Sequence, residues 1–117
     1  MISQEFSEHF AHDWVNAWNS HDIEAVLSHY SDDFEMQSPY IEELAGVASG
    51  VLHGKAAVRA YWCAALQRIP DLHFDIITVL RGSSSIVIHY RGVGRLAAEM
   101  FHFGDDGLVK KSFAHYS

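Results

Sequence analysis

From Leu72 onward the chain is written in a period of two, and this constrains its fold more than any other feature. Four stretches, roughly Leu72 to Leu80, Ser85 to Val93, Leu96 to Phe103 and Leu108 to Tyr116, have the alternation and β-branched or aromatic content of half-buried strands. Between them lie Gly82-Ser83, Gly94-Arg95 and Gly104-Asp105-Asp106-Gly107, and glycine accepts the positive φ that hairpin turns require. Three successive hairpins make an antiparallel meander. One face of such a meander is apolar and has to be covered by residues that precede it.

Those residues read as helices. Phe6, Phe10, Trp14 and Trp18 recur every four positions between about Ser3 and Asn19, which puts four large rings on one stripe of a first helix. A second helix runs through Ile23, Val26, Leu27 and Tyr30 to about Ser31, capped by Ser20 or Asp22, whose side-chain oxygen can satisfy the free donors of its first turn. Asp33 to Ser38 alternates as a strand, and Pro39 stops it. Ile41 to Leu52 is a loop or a short hairpin. Gly54 then opens a third helix, whose apolar face is Ala57, Val58, Tyr61, Trp62, Ala65 and Leu66, with Pro70 beyond its end. Helices first and antiparallel strands after predict an α+β fold with the helices on one face of the sheet. A hydrophobic content of 49% over 117 residues suits one core, and no repeat or Pro/Gly/Ser linker divides residues 1–117, so one domain is expected.

Charge narrows the partners. A net charge of -7 repels phosphate backbones, and Lys and Arg nowhere cluster, so nucleic acid is not an expected partner. No segment has the length and apolarity of a membrane span, and Glu5, Glu8 and Asp13 interrupt any signal-like run at the start. With Cys63 as the one cysteine, no internal disulfide can form, and a cytoplasmic location is expected. Nucleotide loops, nucleophile elbows and zinc-ligand motifs do not occur.

Several stretches, in order, resemble the nuclear transport factor 2-like superfamily, in particular its SnoaL-like polyketide cyclase and steroid Δ5-isomerase branches. They are Ala17-Trp18-Asn19-Ser20-His21-Asp22, Tyr30-Ser31-Asp32-Asp33-Phe34, Gly54-Lys55-Ala56-Ala57-Val58-Arg59-Ala60-Tyr61-Trp62, and Phe101-His102-Phe103-Gly104-Asp105-Asp106-Gly107-Leu108-Val109. The resemblance implies a cone-shaped roll in which three N-terminal helices pack on a strongly curved, mixed but mostly antiparallel sheet. It also implies an apolar pocket inside the cone, no cofactor, and a homodimer formed through the outer sheet face. Site positions carry over residue by residue. Where the similar steroid isomerases have their aspartate base, this chain has Ser38. Trp14 matches their oxyanion-binding tyrosine and Trp62 the tyrosine that supports it, while Tyr30 keeps a phenol and Glu99 matches a protonated aspartic acid. A serine cannot act as that base and an indole cannot relay a proton, so steroid isomerisation by this route is not expected.

Parity then selects the residues that meet in the pocket. With Gly94-Arg95 as a two-residue turn, Tyr90 faces Glu99 and Ile88 faces Phe101; with a four-residue turn at Gly104 to Gly107, Ser112 faces Glu99 from the other side. A carboxyl group among Ile86, Ile88, Phe101, Ala114 and Tyr116 is desolvated, which raises its pKa and fits it for acid-base work or hydrogen-bond donation. The same burial also suits a purely structural carboxyl. Expected catalytic groups are therefore Glu99 and Tyr90, with Tyr30 added by what the resemblance implies. Expected ligand contacts are Trp14, Trp18, Met36, Ser38, Trp62, Phe101, Ser112 and Tyr116, and the expected ligand is a small apolar molecule. The activity that the resemblance implies is a cofactor-independent isomerase or lyase, with a non-catalytic binding or dimerisation module as the alternative.

Of the nine histidines, His9 and His12 lack a third ligand, and His89, His102 and His115 fall on the outer face. The registers above set His89 opposite Met100, His102 opposite Val87 and His115 opposite Leu96, so no metal site is expected. Val87, Met100 and Phe113 share that outer face and would be covered in a homodimer.

Overall fold

In a computed structural model, which describes residues 1–117, the aromatic stripe forms the helix α1, Gln4–Asn19. Ser3 caps it by accepting a hydrogen bond from the Phe6 amide at 3.0 Å. Asp22 does the same for the short helix α2, Ile23–Leu27, through the Ala25 amide at 3.1 Å. The first strand, β1, spans Tyr30–Gln37 and starts earlier than its alternation suggests, because Tyr30 already pairs with Val109 ahead of an irregularity that ends at Glu35. The stretch read as a loop or hairpin contains instead a helix of one turn, α3, Ile41–Ala45, and a three-residue strand, β2, Val51–His53. Neither is long enough to show a period. Next come the helix α4, Lys55–Arg68, and the strands β3, Asp75–Arg81, β4, Ser85–Arg91, β5, Leu96–Phe103, and β6, Val109–Tyr116.

The six strands form one curved, unclosed, mixed sheet in the order β2-β1-β6-β5-β4-β3. All neighbours are antiparallel except β1 and β6, which run parallel. The helices cover one face, and the core lies between the layers. Val26, Phe34, Val58, Ile86, Ile88 and Phe101 within it are wholly excluded from solvent. No helix is long and apolar enough to cross a membrane.

Two hairpins differ in register from the sequence expectation, because their loops are longer. Between β4 and β5 the last pair is Arg91 with Leu96, and Gly92 to Arg95 form a four-residue loop closed by a Gly92 N–H to Arg95 C=O bond of 2.9 Å. Tyr90 is therefore opposite Ala97, Ile88 opposite Glu99 and Ile86 opposite Phe101. Between β5 and β6 a bulge follows His102, and Glu99 comes to lie opposite Ala114 while Ser112 lies opposite Phe101. Each slip is by two residues, so every side chain keeps its face and only its neighbours change. The outer-face histidines move accordingly. His89 and His115 both pair with Ala98, one from each side, and His102 pairs with Ser85 and Lys111.

The segment before β3 also departs from the strand reading. Leu72 to Phe74 is not paired in the sheet but tied to the junction of α1 and α2. The Asn19 side-chain amide donates to the Phe74 carbonyl at 3.0 Å and its oxygen accepts from the Phe74 amide at 2.8 Å. The His21 Nε2 is 2.8 Å from the Leu72 carbonyl oxygen, and His21 has a positive φ of 57°.

Candidate functional site

Inward parity on β5 places Ala97, Glu99 and Phe101 under the helices, and Glu99 retains only 5% of its accessible surface. Its carboxyl has one hydrogen-bond donor in reach, the Tyr90 hydroxyl, at 3.4 Å. Burial raises the Glu99 pKa to about 7, and the Tyr90 hydrogen bond opposes that rise only in part. Tyr90 reaches Glu99 diagonally rather than from directly across the ladder. The phenols of Tyr90, Tyr116 and Tyr30 are pushed upward, first by burial and then by the charge that Glu99 can carry. They remain protonated donors beside it.

Above Glu99 the sheet and helices leave a cavity of about 270 Å³, at the small end of the range for ligand pockets. α1 contributes Trp14 and Trp18, and α4 contributes Tyr61 and Trp62. From the sheet come Met36, Tyr90, Glu99 and Tyr116, so seven of the expected residues are in the wall. The indoles leave the interior open. Trp18 and Trp62 meet edge to face at 5.1 Å, and Trp14 stacks on Phe74 at 5.7 Å.

Four expected residues stand behind this wall instead. Tyr30 is buried against Phe34 and Trp62 and accepts a hydrogen bond from Trp14 Nε1 at 3.2 Å. Ser38 accepts from the Tyr61 hydroxyl at 3.0 Å, which fixes the Tyr61 ring rather than facing a ligand. Phe101 packs edge to face on Phe10 and Trp14. Ser112 is displaced from Glu99 by the β5–β6 slip, and its hydroxyl donates to the Met36 sulfur at 2.8 Å.

Sequence reasoning missed part of the wall: Leu44 on α3, Leu72 and Phe74 in the segment tied to Asn19, and Arg95 at the end of the β4–β5 loop. α3 gave no periodic signal, whereas Arg95 has the same parity as Glu99 and could have been found. The Arg95 guanidinium lies 5.7 Å from the centre of the Tyr40 ring and 5.9 Å from that of Tyr116. No three of the His, Cys, Asp and Glu side chains gather closely enough to hold a metal ion.

The model of the SnoaL-like domain matches residues 11–111. The chain belongs to the SnoaL-like domain family. This family lies in the nuclear transport factor 2-like superfamily. A SnoaL-like protein of unknown function from Burkholderia thailandensis is 56% identical, with a TM-score of 0.95 over 99% of this chain and 98% of that one. The putative hydroxylase AclR from Streptomyces galilaeus shares the fold at 16% identity, with a TM-score of 0.77 over 98% and 91% of the two chains. So does SalBIII, an epoxide hydrolase/cyclase-like enzyme of pyran ring formation in the polyether salinomycin, at 11% identity and a TM-score of 0.76 over 100% and 95%. None of the curated proteins compared with the SnoaL-like chain matches it in sequence.

Proposed function

We propose that the cavity binds a small, largely apolar molecule, with Glu99 as its polar anchor and as the group that moves a proton. The observation that carries this reading is a buried carboxyl in the wall of an aromatic cavity, with its pKa raised to about 7. A carboxyl so tuned both takes and returns a proton at neutral pH. Proton transfer from one carbon to another is isomerisation, and proton removal with loss of a leaving group is a lyase step; neither needs an oxidant or a cofactor. The small-molecule activities named for AclR and SalBIII suit a family whose cavity has been adapted to several chemistries. Steroid isomerisation is not favoured, since Ser38 is committed to Tyr61 and no other carboxyl joins Glu99 deep in the cavity.

The test is deuterium exchange in D2O with a set of small cyclic enones and hydroxyketones, followed by proton NMR. Wild-type protein should catalyse exchange next to the carbonyl, and Glu99→Gln should lower the rate by at least about a hundredfold, the scale of a lost general acid-base. Binding of the same ketones without exchange would leave a non-catalytic binding module as the function. We also infer a homodimer formed through the outer face, where Leu80, Val87, Met100 and Phe113 pair in one row across four strands.

A further inference from the structure

The cavity has a second polar end, which proton transfer at Glu99 does not use. Along β5 and its lead-in, Arg95, Ala97 and Glu99 share one parity, so the cation and the acid flank the cavity with a single small residue between them. Four residues of strand separate their backbones by about 13 Å. Ala97 lies opposite Tyr90 on one side and Tyr116 on the other, and both of those rings belong to the cavity wall. The stretch from Arg95 to Glu99 is thus a floor of phenol rings under a roof of indoles.

Arg95 is unpaired. Of the two cations in the cavity wall, Arg68 has a carboxylate within 4.0 Å and Arg95 has none. Of the other charged groups at the mouth, Glu43 and Arg68 pair with each other at 2.9 Å and cancel. The net charge of the mouth is therefore that of one guanidinium resting against two rings, on a chain whose total is -7. A planar guanidinium on aromatic faces keeps its N–H edge free and matches a carboxylate with two parallel hydrogen bonds. An ionised Glu99 would repel a carboxylate at the inner end, so the anionic group belongs at Arg95.

We propose that Arg95 is the binding site for a ligand carboxylate, and that the ligand class is a small planar aromatic or conjugated carboxylic acid bearing an oxygen at its far end. This rests on the cavity reading above and extends it. The test compares 6-hydroxy-2-naphthoic acid with 2-naphthol, which lacks the carboxylate, by fluorescence titration of the purified protein. The acid should bind wild type at least about tenfold more tightly than the naphthol, the scale of one charge-assisted pair. Arg95→Gln should abolish that preference while the naphthol affinity stays within about twofold, and Arg95→Lys should retain part of it. Equal affinities in wild type, or a preference that survives in Arg95→Gln, overturns the role of Arg95 and leaves the cavity reading intact. Binding of neither probe overturns both.

Discussion

Burying the Glu99 carboxyl carries an energetic cost. Its folded-state pKa of about 7 stands above the ordinary carboxyl value of 4.5, so between these pH values the native protein holds a proton that the unfolded chain has released. Stability from this group is complete below about pH 4.5 and is lost as pH rises through 7. Glu99→Gln should therefore gain about 2–3 kcal/mol relative to wild type between pH 5 and pH 8. Urea denaturation of both proteins at the two pH values measures this, and a pH-independent difference would place the carboxyl in contact with water. That Glu99 points inward was legible from parity alone, since Ala97, Glu99 and Phe101 alternate with Ala98 and Met100. Its immediate surroundings were not, because Tyr90 reaches it only diagonally and Ser112 serves Met36 instead.

At the scale of elements, turn length decided what could be read. Glycine marks where a hairpin turns but not how many residues the turn takes, and Gly94 and Gly107, both with positive φ, sit within longer loops than their spacing suggests. Because strand neighbours follow loop length and faces follow parity, the faces were recovered and the pairs were not. The other unread device is the junction of α1 and α2. Asn19 hydrogen-bonds both backbone groups of Phe74 and so fixes the ring that stacks on Trp14. No periodic pattern announces a single side chain that substitutes for a strand partner. Asn19→Ala removes two such bonds and should cost about 2 kcal/mol in denaturant unfolding. Asn19→Asp keeps the bond from the Phe74 amide but faces its carbonyl with a second acceptor, and should fall between the two.

Over the whole molecule, the covered and uncovered faces of the sheet differ in kind. The inner face is sealed by helices, whereas Leu80, Val87, Met100 and Phe113 make an apolar row with no helix above it, and Leu80 is 58% exposed. A stable association needs about 1,200–2,000 Å² in total, which the outer face of several strands can supply. Light scattering should give twice the chain mass of 13.2 kDa for wild type at micromolar concentration. Met100→Glu, which puts a charge in the middle of the row, should return the single-chain mass without changing the circular dichroism spectrum; a single-chain mass for wild type would remove the dimer.

The parallel pairing of β1 with β6 has a bearing on how the chain is made. Every other pairing in the sheet joins strands that are neighbours in sequence, but Tyr30 must wait for Val109. During synthesis α1 can coil and the hairpins of the meander can close as they emerge, whereas the two halves of the sheet can join only through the last of the six strands. Until then the rings of Phe10 and Trp14 have no Phe101, Phe103 or Tyr90 to bury them. The nascent chain therefore keeps this aromatic stripe of α1 uncovered until its last strand is made.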